Sequence, residues 1–355
     1  MSSNSYKQLI FKFWLFPFAW LYGWAIRFRH FLFDKGILSS LAYPIPVICV
    51  GNLSTGGTGK TPMVLYLLDL LSDIQVATLS RGYKRKSKGF ILACPDSTAR
   101  LLGDEPFLFY ESFPKAYVSV GEDRRRAIKQ LLSMSKPPQV IILDDGFQHR
   151  KVAPGFSILL TDFRQIFSRD YFLPVGNLRD SRSAAARAQM IVVTKCPEQL
   201  DLASKEKITA ELQKYGPKIV LFSYIKYLKP ISLINGNPAI TNSGLKILLI
   251  HGIANARSLQ AYVRKMDPDF KEITYEDHHD YTQSDIQTIK SNFSRLPAGN
   301  QMILTTEKDG VKLKKFHDAL KDLPIYVLPI QMDFLFQQRE QFQNEIRCFI
   351  ENFNN

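Results

Sequence analysis

Lys60 and Thr61 close the run Gly56-Gly57-Thr58-Gly59, which follows the apolar stretch Ile48-Cys-Val-Gly. An apolar strand, a glycine-rich turn and a Lys-Thr pair opening a helix form the layout of a phosphate-binding loop. Gly56, Gly57 and Gly59 let backbone N–H groups turn inward without Cβ clashes, so the turn through Thr58 becomes a nest for phosphate oxygens. The helix start adds partial positive charge. Lys60 is expected to reach the β- and γ-phosphates and the Thr61 hydroxyl to sit on Mg²⁺, which commits the chain to a nucleoside triphosphate. The loop is a variant: the glycine of the strict pattern, five residues before Gly59, is replaced by Ser54.

A triphosphate site of this kind needs an acidic group on a neighbouring strand to hold Mg²⁺. Val140-Ile-Ile-Leu-Asp144-Asp145 has that form, with either aspartate able to contact the metal. Transfer to an alcohol also needs a group that takes the hydroxyl proton. Asp104, in Gly103-Asp-Glu-Pro106, is either that acceptor or a helix N-cap. His278 and His279, in Glu276-Asp-His-His-Asp280, are either catalytic or part of a metal cluster. Arg124, Arg125 and Arg126 follow a strand, so that one or more can face phosphate while the others are solvated. Arg179, on the loop Leu173-Pro-Val-Gly-Asn-Leu-Arg179, suits stabilisation of transition-state charge. Lys84 to Lys88 reads as an exposed basic face, and Thr305-Thr-Glu-Lys-Asp309 as a helix cap or a cleft-lining turn.

The elements that must position these groups alternate between strand and helix. Apolar runs at 75–80, 116–120, 138–143, 156–160 and 190–193 suit buried parallel strands separated by helices. This predicts an α/β fold: a doubly wound, mostly parallel P-loop sheet with ligands at the carboxyl ends of its strands. A second, smaller α/β set is expected after the Lys214-Tyr-Gly-Pro217 break, with strands at 218–224, 246–250, 272–275, 301–305 and 325–328. The expected division is 1–36 for an N-terminal helix, 37–216 for the P-loop domain and 217–355 for the second domain. The last helix, 337–352, can pack on either domain, and the substrate cleft is expected between them.

Composition narrows the partners. With 46 Lys plus Arg against 33 Asp plus Glu, the formal charge of +13 calls for an anionic partner. The four cysteines show neither metal-ligand spacing nor a disulfide framework, and with the ATP-type loop they point to the cytosol. Ile10 to Phe33 is dense in aromatics and holds all three tryptophans. Its uncharged run, Phe13 to Ile26, is 14 residues, short of the roughly 20 that span a bilayer. Basic residues bracket it. It fits an amphipathic helix lying at an anionic membrane surface, the alternative being a helix packed on the protein's own core.

In sequence order these motifs resemble the tetraacyldisaccharide 4′-kinase family of the lipid A pathway. The resemblance is carried by Val50-Gly-Asn-Leu-Ser-Thr-Gly-Gly-Thr-Gly-Lys-Thr-Pro62, Ser80-Arg-Gly-Tyr83, Gly103-Asp-Glu-Pro106, Val120-Gly-Glu-Asp-Arg124 and Asp144-Asp-Gly-Phe-Gln148. It continues through Leu173-Pro-Val-Gly-Asn-Leu-Arg179, Asp277-His278 and Thr305-Thr-Glu-Lys-Asp309. It implies ATP- and Mg²⁺-dependent phosphorylation of the 4′-hydroxyl of tetraacyldisaccharide 1-phosphate, giving lipid IV-A, on the cytoplasmic face of a Gram-negative inner membrane. It also implies Lys60 on phosphate, Thr61, Asp144 and Asp145 on Mg²⁺, Asp104 as base with His278 as partner, and Arg179 near the γ-phosphate. Arg124, Arg126 and Gln148 fall on the substrate side. The acidic residue after the loop arginine is usually Glu in that family and is Asp180 here.

Other classes fit less well. A switch GTPase needs a guanine-reading Asn-Lys-x-Asp, and the nearest echo, Thr194-Lys-Cys-Pro197, lacks both Asn and Asp. The basic residues are too dispersed for a nucleic-acid-binding ATPase, and a soluble-metabolite kinase leaves the aromatic N-terminus unexplained. No protein partner is implied.

Overall fold

A computed structural model describes residues 3–216, 219–239, 244–253, 255–277 and 279–354. The first long segment supplies helix α1 (Ser3–Asp34), strand β1 (Val47–Asn52), helix α2 (Lys60–Leu70), β2 (Val76–Ser80), β3 (Ile91–Leu92), β4 (Tyr117–Val120), β5 (Val140–Asp144), β6 (Phe156–Asp162) and β7 (Met190–Thr194). Then come β8 (Ile219–Tyr227), β9 (Ile231–Ser232), β10 (Lys246–His251), β11 (Lys271–Thr274), β12 (Gln301–Thr306), β13 (Ile325–Leu328) and β14 (Ile330–Phe334).

The strands form two sheets. Nine are ordered β14-β8-β7-β6-β1-β5-β2-β4-β3, and five are ordered β11-β10-β12-β13-β9. In the large sheet only the two edge pairings, β14 with β8 and β3 with β4, are antiparallel. The central strands are buried on both faces because successive side chains point to opposite sides. Cys49, Leu79, Ile141 and Leu143 face one core, while Ile48, Val50, Ile142 and Ile158 face the other beneath Met63, Val64 and Leu67 of α2.

The sheets do not divide at the expected 216/217 boundary. β8, expected to open the second set, pairs parallel to β7 through Met190 and Ile219, and β14 then pairs antiparallel to β8. The second sheet is therefore inserted between two neighbouring strands of the first. The C-terminal helix Arg339–Asn354 also returns to the large sheet. Phe342, fully buried, stacks on Phe334 at 4.7 Å and meets Tyr66 edge-on at 5.5 Å. Arg347 pairs with Asp73 at 2.8 Å. Phe342→Ala is expected to cost about 3–5 kcal/mol, because it empties a site enclosed by α2 and β14; a urea melt followed by circular dichroism measures it.

Helix α1 continues through Pro17 and lies on the loop 170–180. Gly23 permits the approach: a Cβ there would stand 2.7 Å from the Phe172 ring. The Tyr22 hydroxyl donates to the Arg179 carbonyl at 3.1 Å, and His30 pairs with buried Asp180. The opposite face exposes Trp14 at 72%, Trp20 at 69% and Trp24 at 55%, together with Phe18 and Phe28. Among the described residues, no helix is long and apolar enough to cross a membrane.

Candidate active site

The glycine-rich loop leaves β1 at Asn52 and enters α2 at Lys60. Gly56 and Gly59 have φ of 99° and 86°, a left-handed backbone that favours glycine. No side chain caps α2, so its first N–H groups point into the loop. Thr58 is held from two sides: the Asn52 amide donates to its hydroxyl at 2.7 Å, and the Thr194 hydroxyl donates to its carbonyl at 2.9 Å.

Asp144 and Asp145 end β5 beside this loop, and they differ in kind. Asp145 is part-exposed, with φ 51°, and it accepts both guanidinium nitrogens of Arg179, one at 3.1 Å. Lys60 Nζ lies 3.8 Å from its Oδ1. Burial pushes the Asp145 carboxyl up, but Lys60 and Arg179 outweigh it and hold the group below the usual carboxylate range. Arg179 also donates to the Asn52 side-chain oxygen, so Thr58, Asn52, Arg179, Asp145 and Lys60 form one connected chain. The Gln148 amide donates to the Asn52 carbonyl at 2.6 Å.

Asp144 is buried, and Ser80 donates to its Oδ2 at 3.0 Å. Burial, with the charges of Glu105 and Asp145 adding, pushes its carboxyl up to about 7 against Lys60 and Ser80. Its Oδ1 is buried without a hydrogen-bond partner. An orphaned carboxylate oxygen beside a glycine cradle and a helix-opening threonine fits a hard divalent cation. Among the described residues no cluster of three or more His, Cys, Asp or Glu could hold a metal alone. A pair of carboxylates beside a phosphate cradle suits Mg²⁺, which takes one or two carboxylates plus substrate phosphates.

The raised Asp144 carboxyl makes stability depend on pH. Between about 4 and 7 the native state keeps a proton that the unfolded chain has released, so this group's contribution falls as pH rises. His149 opposes it: burial, with Arg124, Arg81 and Arg29 adding, pulls its ring down to about 4, so its contribution rises over the lower part of the same range. Asp144→Asn isolates the first effect. The variant is expected to gain stability on the wild type with rising pH by up to about 1.4 kcal/mol per unit, read from metal-free urea melts between pH 4.5 and 7.5.

The second sheet faces this site. Asp104 is the first residue of the helix Asp104–Ser112, while Gly103, with φ 93°, occupies the N-cap position. The carboxylate is 2.7 Å from Lys312 Nζ, and Lys312 also donates to the His279 carbonyl at 2.9 Å. Lys312 is nearly buried on the helix Glu307–Leu313, whose start is the Thr305-Thr-Glu-Lys-Asp309 turn. That turn is a cap: the Thr306 hydroxyl accepts from the Asp309 N–H at 3.1 Å. His278 lies outside the described residues. Its neighbours are anchored, Asp277 to Lys308 at 3.0 Å and His279 to Asp285 at 3.0 Å.

Of the arginines after β4, Arg124 turns inward and is buried, donating to the Gly121 carbonyl. Burial pulls its guanidinium down to about 10, offset by Asp144 and Asp145, and its Nε and one NH₂ have no partner. Arg126 is exposed on the same helix. Sequence reasoning missed Lys312, His149 and the contribution of Arg29, which donates to the Gln148 carbonyl at 3.0 Å. The run Gln148-His-Arg150 after the paired aspartates was the available signal for His149. Lys312 carried none.

The family model of tetraacyldisaccharide-1-P 4′-kinases matches residues 11–350. The tetraacyldisaccharide 4′-kinase of Flavobacterium psychrophilum is 46% identical over 95% of this chain and 96% of its own length. That of Bacteroides thetaiotaomicron is 41% identical over 96% and 94%. A crystal structure of LpxK from Aquifex aeolicus in complex with ATP superposes with a TM-score of 0.72 at 29% identity, covering 96% of this chain and 99% of that one. A glycine cradle on β1, paired aspartates on β5 and a sequence match along nearly the whole chain have one reading: the chain belongs to the tetraacyldisaccharide-1-P 4′-kinase family.

Proposed function

We propose that this protein transfers the γ-phosphate of ATP to the 4′-hydroxyl of tetraacyldisaccharide 1-phosphate, giving lipid IV-A, and does so at an anionic membrane surface. The observation that carries the reading is the convergence of two groups of residues. On one side the cradle, Lys60 and the Asp145–Arg179 pair form a connected phosphate site. On the other, Asp104 pairs with Lys312 on the helix Glu307–Leu313, and its neighbour Glu105 is near enough to help raise the Asp144 carboxyl.

Gly56, Gly57, Thr58 and Gly59 present backbone N–H groups to the phosphates, and Lys60 neutralises charge on the transferred group. Arg179, already beside Lys60, stabilises the charge that spreads over the equatorial oxygens. Thr61, Asp144 and Asp145 are the residues that would hold Mg²⁺, which when bound would supply positive charge against the charge developing on the transferred group. Asp104 accepts the proton of the attacking 4′-hydroxyl, and His278 is its partner in that transfer. Arg124, with Gln148 nearby, receives the anionic side of the glycolipid; the partnerless N–H groups of Arg124 support this role. Arg126, on the exposed face, meets it only at the rim.

The exposed tryptophans and phenylalanines of α1 rest at the headgroup boundary. Because α1 also packs on the loop that carries Arg179, the membrane-facing element and the phosphate site are one mechanical unit. The proposed location is the cytoplasmic face of the inner membrane of a Gram-negative cell. The test is transfer of label from γ-labelled ATP to tetraacyldisaccharide 1-phosphate in detergent micelles, with and without Mg²⁺. A Mg²⁺-dependent, doubly phosphorylated lipid that disappears in Lys60→Ala is the expected result. ATP hydrolysis without lipid phosphorylation would overturn the kinase reading.

A further inference from the structure

We propose that Lys312 is a positioning residue for the proton-transfer step, bridging Asp104 to the turn that carries His278. The inference deepens the reading of Asp104 as proton acceptor and rests on it. Asp104 opens a helix that packs on the large sheet, whereas 277–280 follows β11 of the small one. Lys312 touches both segments. Its Nζ lies 2.7 Å from Asp104 Oδ2 and donates to the His279 carbonyl at 2.9 Å.

The spacing of the lysines explains the grip. Lys308, Lys312 and Lys315 fall at i, i+4 and i+7, one face of the helix Glu307–Leu313 and the turn that continues it. Lys308 pairs with Asp277 at 3.0 Å and Lys315 with Asp280 at 2.6 Å, while Lys312 between them takes the backbone of His279. The helix that carries the row is itself seated on β13: a Cβ on Gly310 would stand 2.6 Å from Val327 Cγ2. Lys314 crosses to Glu111, near the end of the helix that Asp104 opens, at 2.8 Å. Burial sets the central lysine apart. Lys314 and Lys315 are about half exposed, whereas the Lys312 side chain is nearly buried and that of Asp104 largely so. Exposed pairs hold their partners weakly, but an ammonium taken out of water is strongly penalised when its carboxylate moves away. Asp104 is therefore fixed relative to the backbone beside His278. Proton transfer is sensitive to such placement, since an error of about 1 Å can cost about 10²-fold in rate.

The test measures kcat, KM for ATP and KM for tetraacyldisaccharide 1-phosphate on the full chain. Lys312→Met is expected to lower kcat by about 10–10²-fold while both KM values stay within about threefold. Lys312→Arg, which keeps the charge and can reach both acceptors, recovers part of the loss. Lys314→Met and Lys315→Met, which each remove one outer tether, stay within about twofold of the wild type. In an Asp104→Asn background Lys312→Met adds no further loss, because the group it positions is already gone. Should Lys312→Met not fold, Lys312→Gln takes its place in every comparison. The same loss in that background as in the wild type would overturn the bridge, as would a raised KM at unchanged kcat or an equal loss in Lys315→Met. An unchanged kcat in Lys312→Met beside a large loss in Asp104→Asn would overturn this inference alone. A wild-type kcat in Asp104→Asn would overturn the proton-acceptor reading itself.

Discussion

Arg179→Met is expected to lower kcat for lipid phosphorylation by about 10³–10⁵-fold, the range found when an arginine serving the transferred phosphoryl group is lost. The expectation follows from how the side chain is held. Its guanidinium lies across both oxygens of Asp145 and reaches the Asn52 side chain, so it is aimed before any substrate arrives. Its backbone N–H donates to the Leu53 carbonyl at 2.8 Å, tying the loop to the start of the phosphate-binding turn. A group oriented in advance costs little reorganisation when charge develops. Lys in its place keeps the charge but not the two-pronged geometry, so Arg179→Lys should recover only a small part of the loss. Single-turnover transfer at saturating ATP and lipid measures the effect. An unchanged kcat with a lowered melting temperature would reduce Arg179 to a structural bridge between β1 and β5.

Asp104→Asn is expected to lower kcat by about 10²–10⁴-fold, the usual worth of a positioned proton acceptor. Asparagine keeps the shape and removes the ability to accept the proton. ATP affinity should change by less than about threefold, because the carboxylate sits against Lys312 from the second sheet and not on the cradle. Equal losses in kcat and ATP affinity would make Asp104 a ligand of metal or nucleotide instead. The substitution also leaves the nearly buried Lys312 without its carboxylate, so the melting temperature is read alongside to separate a chemical loss from a loosened contact between the sheets.

Much of the site was legible because it is local. A strand, a glycine turn and a helix start are adjacent in the chain, and so are an apolar run and the aspartates that end it. The arginines after β4 show where locality stops. Neighbouring helical residues are turned by about 100°, so Arg124 and Arg126 lie on nearly opposite faces. Only packing decides that Arg124 is the buried one. Asp144 and Asp145 divide in the same way: adjacent carboxylates look alike in sequence, while burial separates one near neutrality from one held ionised by Lys60 and Arg179. Lys195 stands in a motif that signals nothing by itself, and its contact with Gly57 reaches across the one intervening strand, β6.

By itself, then, the sequence determined the chemistry and the layer type. Glycine freedom, hydrophobic period and the acids and bases suited to phosphoryl transfer act over a few residues. The tertiary structure decided where the sheets divide. β8 has the same apolar pattern whether it joins β7 or opens a new sheet, and β14 and the final helix return across about a hundred residues of inserted chain to close the first. Strand partnership is set by hydrogen bonding and burial between distant segments. For the same reason the meeting of Asp104 with Lys312, from segments about two hundred residues apart, exists only in the folded chain.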